Sequence, residues 1–252
     1  MFSRFLKALA VATLACAASA HAAELRVCAD PDSLPYSHAS QSGFENRIAA
    51  LLAGELGKAL VYVWHPQQRG FVRKTMGASL CDVWVGVPRD FERVLTTRPY
   101  YRSSYVFLSR GEAPLASFQD PRITRLRIGI EVPGDDGAAT PAGHALALRG
   151  AKVVGFSLYG HAPAAQRIVE AIAKGELDAA VVWGPAAGFF ATRANLHLHP
   201  ASDAIAGVPF EFSISVGVRR GEKALRDAID AAIERRAADI GAILDEYRVP
   251  RL

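Results

Sequence analysis

The sequence predicts an α/β chain folded as two lobes, and three observations lead there. Strand-like and helix-like segments alternate from residue 25 to residue 87, the alternation breaks at Arg110-Gly111-Glu112-Ala113-Pro114, and a second alternating series starts at residue 126. A strand, helix, strand, helix, strand order implies parallel strands joined by right-handed crossovers. The loops that follow those strands then gather on one edge, where ligands of such sheets bind.

Taken in order, residues 25–29 read as a short buried strand that Asp30-Pro31-Asp32 and Leu34-Pro35 end in a loop. Over 44–56 the apolar residues Ile48, Leu51, Leu52 and Leu56 recur at helical spacing and Gly57 stands as the C′ stop, so a helix is expected. Residues 60–64 form a second strand ended by His65-Pro66, 71–79 a short helix, and 82–87 a third strand ended by Pro88. A strand at 105–109 leads into the linker-like residues 110–114. The second series holds strands at 126–131, 153–156 and 179–183, and a helix at 164–174 with Pro163 at its start and Gly175 as its stop. A further strand is expected at 212–218 and a largely helical segment at 223–247. The division that follows is 23–109 plus 211–252 for the first lobe and 110–210 for the second, with hinge crossings near Arg110 and near 206–210. No internal repeat at a fixed period is visible.

Half of the 252 residues are hydrophobic and 21% are charged, with no glycine period, which excludes disordered and collagen-like classes. The net charge is +4, and no Lys/Arg run exceeds the pairs Arg219-Arg220 and Arg235-Arg236, so composition does not point to nucleic acid. Arg4 and Lys7 precede a small and apolar run over 8–18, and Ala20-His21-Ala22 supplies a cleavage site. Residues 1–22 therefore read as a signal peptide, which places the mature chain in the periplasm. A membrane span needs about 20 apolar residues, longer than this run or any other stretch here, so the chain is not expected to be membrane-embedded. Two cysteines remain after export, Cys28 and Cys81. An oxidising compartment favours a disulfide between them. Against it, one falls late in a predicted strand and the other at the start of a parallel neighbour, an offset of several residues at ~3.3 Å each where bridging needs alpha carbons within ~7 Å. Both outcomes stay open.

Short motifs in fixed order carry a resemblance. Asp30-Pro31 with Leu34-Pro35-Tyr36, Gly43-Phe44-Glu45, the Cys81-Asp82-Val83 strand entry and Arg98-Pro99-Tyr100-Tyr101 resemble type II periplasmic solute-binding proteins of the amino-acid-binding group. A narrower set is Arg69-Gly70-Phe71-Val72-Arg73, Gly86-Val87-Pro88, Leu95-Thr96-Thr97, Gly134-Asp135-Asp136-Gly137 and Val181-Val182-Trp183-Gly184-Pro185. It resembles the MxaJ and XoxJ accessory proteins of methanol dehydrogenase operons, over about residues 25–252. The resemblance implies a two-lobe periplasmic binding protein type II fold. It also implies a protein partner, a periplasmic quinoprotein alcohol dehydrogenase that uses pyrroloquinoline quinone with calcium or a lanthanide, which the chain would help to mature or activate. No cofactor of the chain's own is implied.

Departures from the amino-acid binders bear on the ligand. There an Arg ahead of the Pro-Tyr-Tyr stretch forks onto the ligand α-carboxylate. Here that connection is short and leaves Arg89 or Arg93 as imperfect candidates, while Pro133-Gly134-Asp135-Asp136-Gly137 brings two carboxylates to a helix entrance where an anionic ligand would be repelled.

The candidate cleft and partner-binding residues are Asp30, Tyr36, Phe44, Trp64, Arg69, Pro88, Arg89, Tyr100, Tyr101, Asp135, Asp136 and Trp183. Tyr36, Trp64 and Trp183 stand at or just past strand ends, where aromatics line clefts that hold a partner segment or a small apolar ligand. Phe189 and Phe190 add apolar bulk, and core packing is the alternative role for all of these aromatics. Asp30, Asp32, Asp135 and Asp136 could offer hard oxygen ligands, but turn and helix capping explains aspartates at such places equally well, and no metal site is expected. Six arginines at 69, 73, 89, 93, 98 and 102 could fork onto an acidic partner or form a solvated face. His197 and His199 alternate on one strand face with no third ligand in view. Ser157 misses the nucleophile-elbow spacing, and no Walker or dinucleotide fingerprint is present, so an enzyme is not expected. The first alternative function is a substrate-binding protein of an ABC importer for an amino acid or small organic acid; on a second, a dehydratase on the same fold, Glu45 or Glu131 would be the general acid.

Overall fold

The computed structural model describes residues 23–111, 114–133, 140–160, 162–192, 194–202, 205 and 207–252. The expected signal peptide and Asp135 and Asp136 lie outside the described residues. In chain order the elements are β1 (Glu24–Ala29), β2 (Asp32–Ser33), β3 (Ser37–His38), α1 (Phe44–Glu55), β4 (Ala59–Trp64), α2 (Phe71–Lys74), β5 (Val83–Pro88), β6 (Leu95–Thr96) and β7 (Tyr101–Ser109). There follow β8 (Arg127–Val132), α3 (Pro141–Leu148), β9 (Lys152–Ser157), α4 (Ala164–Ala173), β10 (Ala179–Trp183), α5 (Gly184–Ala191), β11 (His197–Pro200), β12 (Glu211–Val218), α6 (Lys223–Arg235) and α7 (Ala237–Glu246).

The strands join in the order β4-β1-β5-β12-β7-β10-β8-β9, with β6 on β12 and β11 on β7. β1 pairs in parallel with β4 and β5, and β8 in parallel with β9 and β10, so each half carries the expected parallel unit with helices between its strands. β12 and β7 run antiparallel to their neighbours and stitch the halves together. The change of partner falls inside β7. Tyr101 to Ser104 pair with β12, whereas Tyr105 to Ser109 pair with β10. The returning chain meets the same place, where the Tyr105 N–H donates to the Phe210 carbonyl at 2.9 Å.

Sequence explains why these segments fold locally. Asn46 closes the start of α1, its Oδ1 accepting from the Gly43 and His38 N–H groups. The first-turn N–H groups of Phe44 and Glu45 donate to Pro35 and Tyr36 carbonyls, so the loop after β1 is tied to the helix entrance. Phe44, Ile48 and Leu52 on one face of α1 are at most 2% exposed and pack with Leu25, Val83 and Val216 under the first half. Burial of each such side chain contributes about 1.5–3 kcal/mol. Ile168, Ile172, Val182 and Leu108 form the core on one face of the second half, and Phe107, Phe118, Ile128 and Leu146 that on the other.

Cys28 and Cys81 are joined by a disulfide, with alpha carbons 5.6 Å apart. The expected offset does not arise because Cys81 stands outside β5, in the loop that crosses toward β1, where the Asp82 N–H donates to the Arg26 carbonyl. The bridge packs against Phe71, Met76 and Val94. Among the described residues no helix is long and apolar enough to cross a membrane.

Candidate functional site

The carboxyl ends of the parallel strands in both halves face a common cavity of about 330 Å³. From the first half come Asp30, just past β1, Gly86 of β5 and Glu45 of α1, and from the second come Glu131 of β8, Trp183 at the end of β10 and Thr140. β7 adds Tyr101 and Tyr105 at the point where it changes partner, and Tyr36 closes one side from the loop tied to α1. Placement follows from topology, since a residue at the end of a parallel strand or in the next loop opens onto this edge.

Electrostatically the cavity is carboxylic and phenolic. Glu45 is 8% exposed, and burial, with no bond or opposite charge among the described residues to offset it, pushes its carboxyl well above the usual range. It nests against bare backbone, for a Cβ at position 86 would lie 1.9 Å from Oε1 of Glu45. Burial also raises Glu131, only in part offset by the bond its Oε2 accepts from the Trp183 N–H at 3.1 Å, and its pKa comes to about 7. Tyr36, Tyr101 and Tyr105 are pushed up by burial and then by these carboxylates, so at neutral pH all three are O–H donors. Trp183 meets Tyr105 edge to face at 5.4 Å and Phe212 at 5.6 Å. Among the described residues lining the cavity there is no Lys or Arg.

Of the residues singled out by sequence, the structure brings Asp30, Tyr36, Tyr101 and Trp183 together in this cavity. Asp30 is engaged locally as well, its two carboxylate oxygens accepting the Asp32 and Gln67 N–H groups at 2.9 and 2.6 Å. Several others stand elsewhere, each for a physical reason. Phe44 points from α1 into the core and is fully buried among the rings of Tyr36, Tyr101 and Tyr247. Trp64 lies on the edge strand β4 and stacks on Tyr62 at 4.4 Å. Tyr100 packs against Tyr101 from behind. Pro88 and Arg89 end β5 in solvent, with Arg89 beside Asp90 at 3.6 Å, and Arg69 is exposed in the turn before α2. Arg93 lines a different pocket, so neither candidate arginine supplies the carboxylate fork. Among the described residues no cluster of three or more His, Cys, Asp or Glu could hold a metal, and His197 and His199 have no third ligand.

Glu45 and Glu131, expected at most as an acid, line the cavity, and so do Gly86 and Tyr105, which the sequence does not single out. Glu45 and Gly86 both stand within the quoted motifs. Glu131 ends a predicted strand of the second series, so its position on the ligand edge was available.

No family model matches the chain. It is 34% identical to the protein MoxJ of Methylorubrum extorquens, over 94% of this chain and 84% of that protein. Among solved structures it is similar to the periplasmic binding protein XoxJ of Methylobacterium extorquens (TM-score 0.74, 34% identity, 90% of this chain and 99% of that one). It is also similar to MxaJ of Methlophaga aminisulfidivorans (TM-score 0.79, 27% identity, 90% and 100%). An ancestral cationic amino acid solute binding protein, 18% identical with a TM-score of 0.71 over 89% of this chain and 95% of that one, shares the fold.

Proposed function

The chain belongs to the MoxJ family of periplasmic binding proteins, and on that premise we propose that it assists the maturation or activation of a periplasmic quinoprotein alcohol dehydrogenase by holding a segment of that enzyme between its two lobes. The dehydrogenase would carry pyrroloquinoline quinone with calcium or a lanthanide, and the chain itself no cofactor. One observation carries this reading over transport of an amino acid: the interlobe cavity has carboxyl groups and tyrosines but no cationic side chain among its described lining residues. A free α-carboxylate placed there would lose its water beside Glu45 and Glu131 with no counter-ion to replace it. A polypeptide segment brings N–H donors and aromatic or basic side chains instead. Tyrosine O–H groups, carboxyl oxygens and the Trp183 ring complement these.

The test is calorimetric titration of the mature protein with a purified quinoprotein alcohol dehydrogenase in its metal-free and metal-loaded forms. Complex formation is expected, weakened tenfold or more by Trp183→Ala or Tyr36→Ala, the size of loss typical of a central aromatic anchor. Absence of a complex, together with tight binding of an amino acid or organic acid, would make the chain a transport receptor.

A second reading, a dehydratase on the same fold, is favoured by one feature, a carboxyl at Glu131 poised near 7 as a general acid is. Turnover of a hydroxy acid with release of water, abolished by Glu131→Gln, would support it.

A further inference from the structure

A second pocket, of about 360 Å³, opens on the first half among α2, the loop after β5 and the end of β12. It shares no lining residue with the interlobe cavity. Four of its lining residues are arginines, Arg73, Arg93, Arg219 and Arg220, brought together from segments far apart in the chain. Their partners do not balance them. Arg219 shares Asp82 with Arg26 and reaches Glu222 at 3.1 Å. Arg220 donates to the Glu92 backbone carbonyl, which carries no charge. Arg73 and Arg93 are exposed and take part in none of the ion pairs among the described residues. The floor is apolar, made by Val72, Met76 and Val94, and on the chain beside Ser79 stands Leu80, 49% exposed. That floor is anchored, because Met76 and Val94 pack in one buried cluster with the Cys28–Cys81 bridge.

We propose that this pocket docks an acidic segment of a protein partner, Arg73 and Arg93 forking onto its carboxylates while Val72, Met76 and Leu80 receive a neighbouring apolar side chain. Guanidinium groups match carboxylates in fork geometry, and arginine around an apolar centre is the composition of an interface hot spot. A concave floor with apolar side chains suits a peptide better than a free inorganic anion, which would leave that floor wet. It also suits a peptide better than a flat lipid surface. A floor held in place beforehand lowers the ordering cost of binding. The pocket does not depend on the role proposed for the interlobe cavity.

The experiment is fluorescence anisotropy of a labelled hexaglutamate peptide with the full mature chain at low and physiological salt. Binding is expected, weaker at the higher salt, and reduced tenfold or more in the double variant Arg73→Glu, Arg93→Glu. A control of equal charge change in the other half, Arg125→Glu with Lys152→Glu, should stay within twofold of the parent. If the charge reversal does not fold, the pair Arg73→Gln, Arg93→Gln reads the same loss. No peptide binding, or equal loss in pocket and control variants, overturns the proposal. So does displacement by inorganic phosphate at the peptide's own concentration, or preferential binding to phosphatidylglycerol vesicles.

Discussion

A carboxyl that stays protonated near neutrality changes how stability responds to pH, and Glu131 is such a group. Its folded pKa of about 7 lies above the unfolded value of ~4.3, so between those limits the folded chain holds a proton that the unfolded chain has released. Its contribution is neutral below about pH 4, turns unfavourable as pH rises through 5 and 6, and levels off above 7, at on the order of 3–4 kcal/mol. Glu131→Gln keeps an acceptor for the Trp183 N–H and removes the ionisation. Urea midpoints should therefore match the parent at pH 4 and exceed it at pH 8, and equal midpoints at pH 8 would refute the assignment. Glu45 and Gly86 make a second residue-level case. Gly86 has φ 88°, and any Cβ there would strike the Glu45 carboxylate. Gly86→Ala should cost about 2–4 kcal/mol from strain and contact together. Adding Glu45→Ala should return the contact part while the backbone strain remains, a coupling that a double-mutant cycle measures.

Between elements, one device appears twice. At the start of β1 the Asp82 carboxylate takes the Arg26 backbone N–H and its guanidinium, with Nη2 at 2.7 Å, and at the start of β8 Asp178 takes the Arg127 N–H and its guanidinium, with Nη2 at 2.8 Å. Each aspartate precedes the third strand of its parallel unit, so each clamp pins first strand to third. Burial pushes Asp82 up, but the Arg26 bonds and the Arg219 charge outweigh it and its pKa ends below the usual value. For Asp178 the Arg127 bond dominates and also lowers it. A depressed carboxylate stabilises above its unfolded pKa of ~3.9 and loses that contribution as pH falls through the folded one, so both clamps weaken in acid. Asp82 has a side chain 14% exposed and two arginines, against 34% and one for Asp178. Asp82→Ala should cost about 2–4 kcal/mol and Asp178→Ala under about 1 kcal/mol, additively since they sit in separate halves. No fixed period announces this pairing, because loops of unequal length separate an Arg and an Asp whose meaning lies in strand pairing. Strands were legible where an apolar run is bounded by Pro or Gly, as at 60–64 and 179–183. The helices α3 and α5 were not, since Pro141 and Pro185 open them and read as loop, and a nearly all-apolar composition leaves no amphipathic face. The segment 223–247 breaks at Arg236 into α6 and α7 because that residue leaves the helical conformation. Of the cavity, strand-end residues such as Trp183 could be read from position. Tyr105 could not, because β7 is longer than its sequence suggests and changes partners midway.

At the scale of the whole molecule, what limits relative movement of the halves is not only the two strand crossings. The last residues of the chain run back along β7, where the Ser103 hydroxyl donates to the Pro250 carbonyl at 2.6 Å and the Leu252 N–H to the Arg102 carbonyl at 3.1 Å. On the way they clasp α5 of the second half. Phe189 stacks on Tyr247 at 5.7 Å, and a Cβ on Gly188 would come within 2.0 Å of the Arg248 carbonyl oxygen, so helix and tail are in direct backbone contact. Val249 is 5% exposed beneath this crossing. The tail is therefore a third connection between the halves, in contact with both β7 and α5. Removing residues 248–252 deletes two tail-to-β7 hydrogen bonds and the buried Val249 side chain, a loss of about 2–4 kcal/mol. At this chain length that lowers the melting temperature by roughly 5–12 °C. Hydrogen exchange should localise the effect: α5 and the end of β10 gain exchange, while β1 and β4, the outermost strands of the first half, keep their protection. Uniform loss of protection would mean that the tail supports global stability alone. Faster exchange confined to α5 and the end of β10 would identify the tail as a strap that joins the second half to the first.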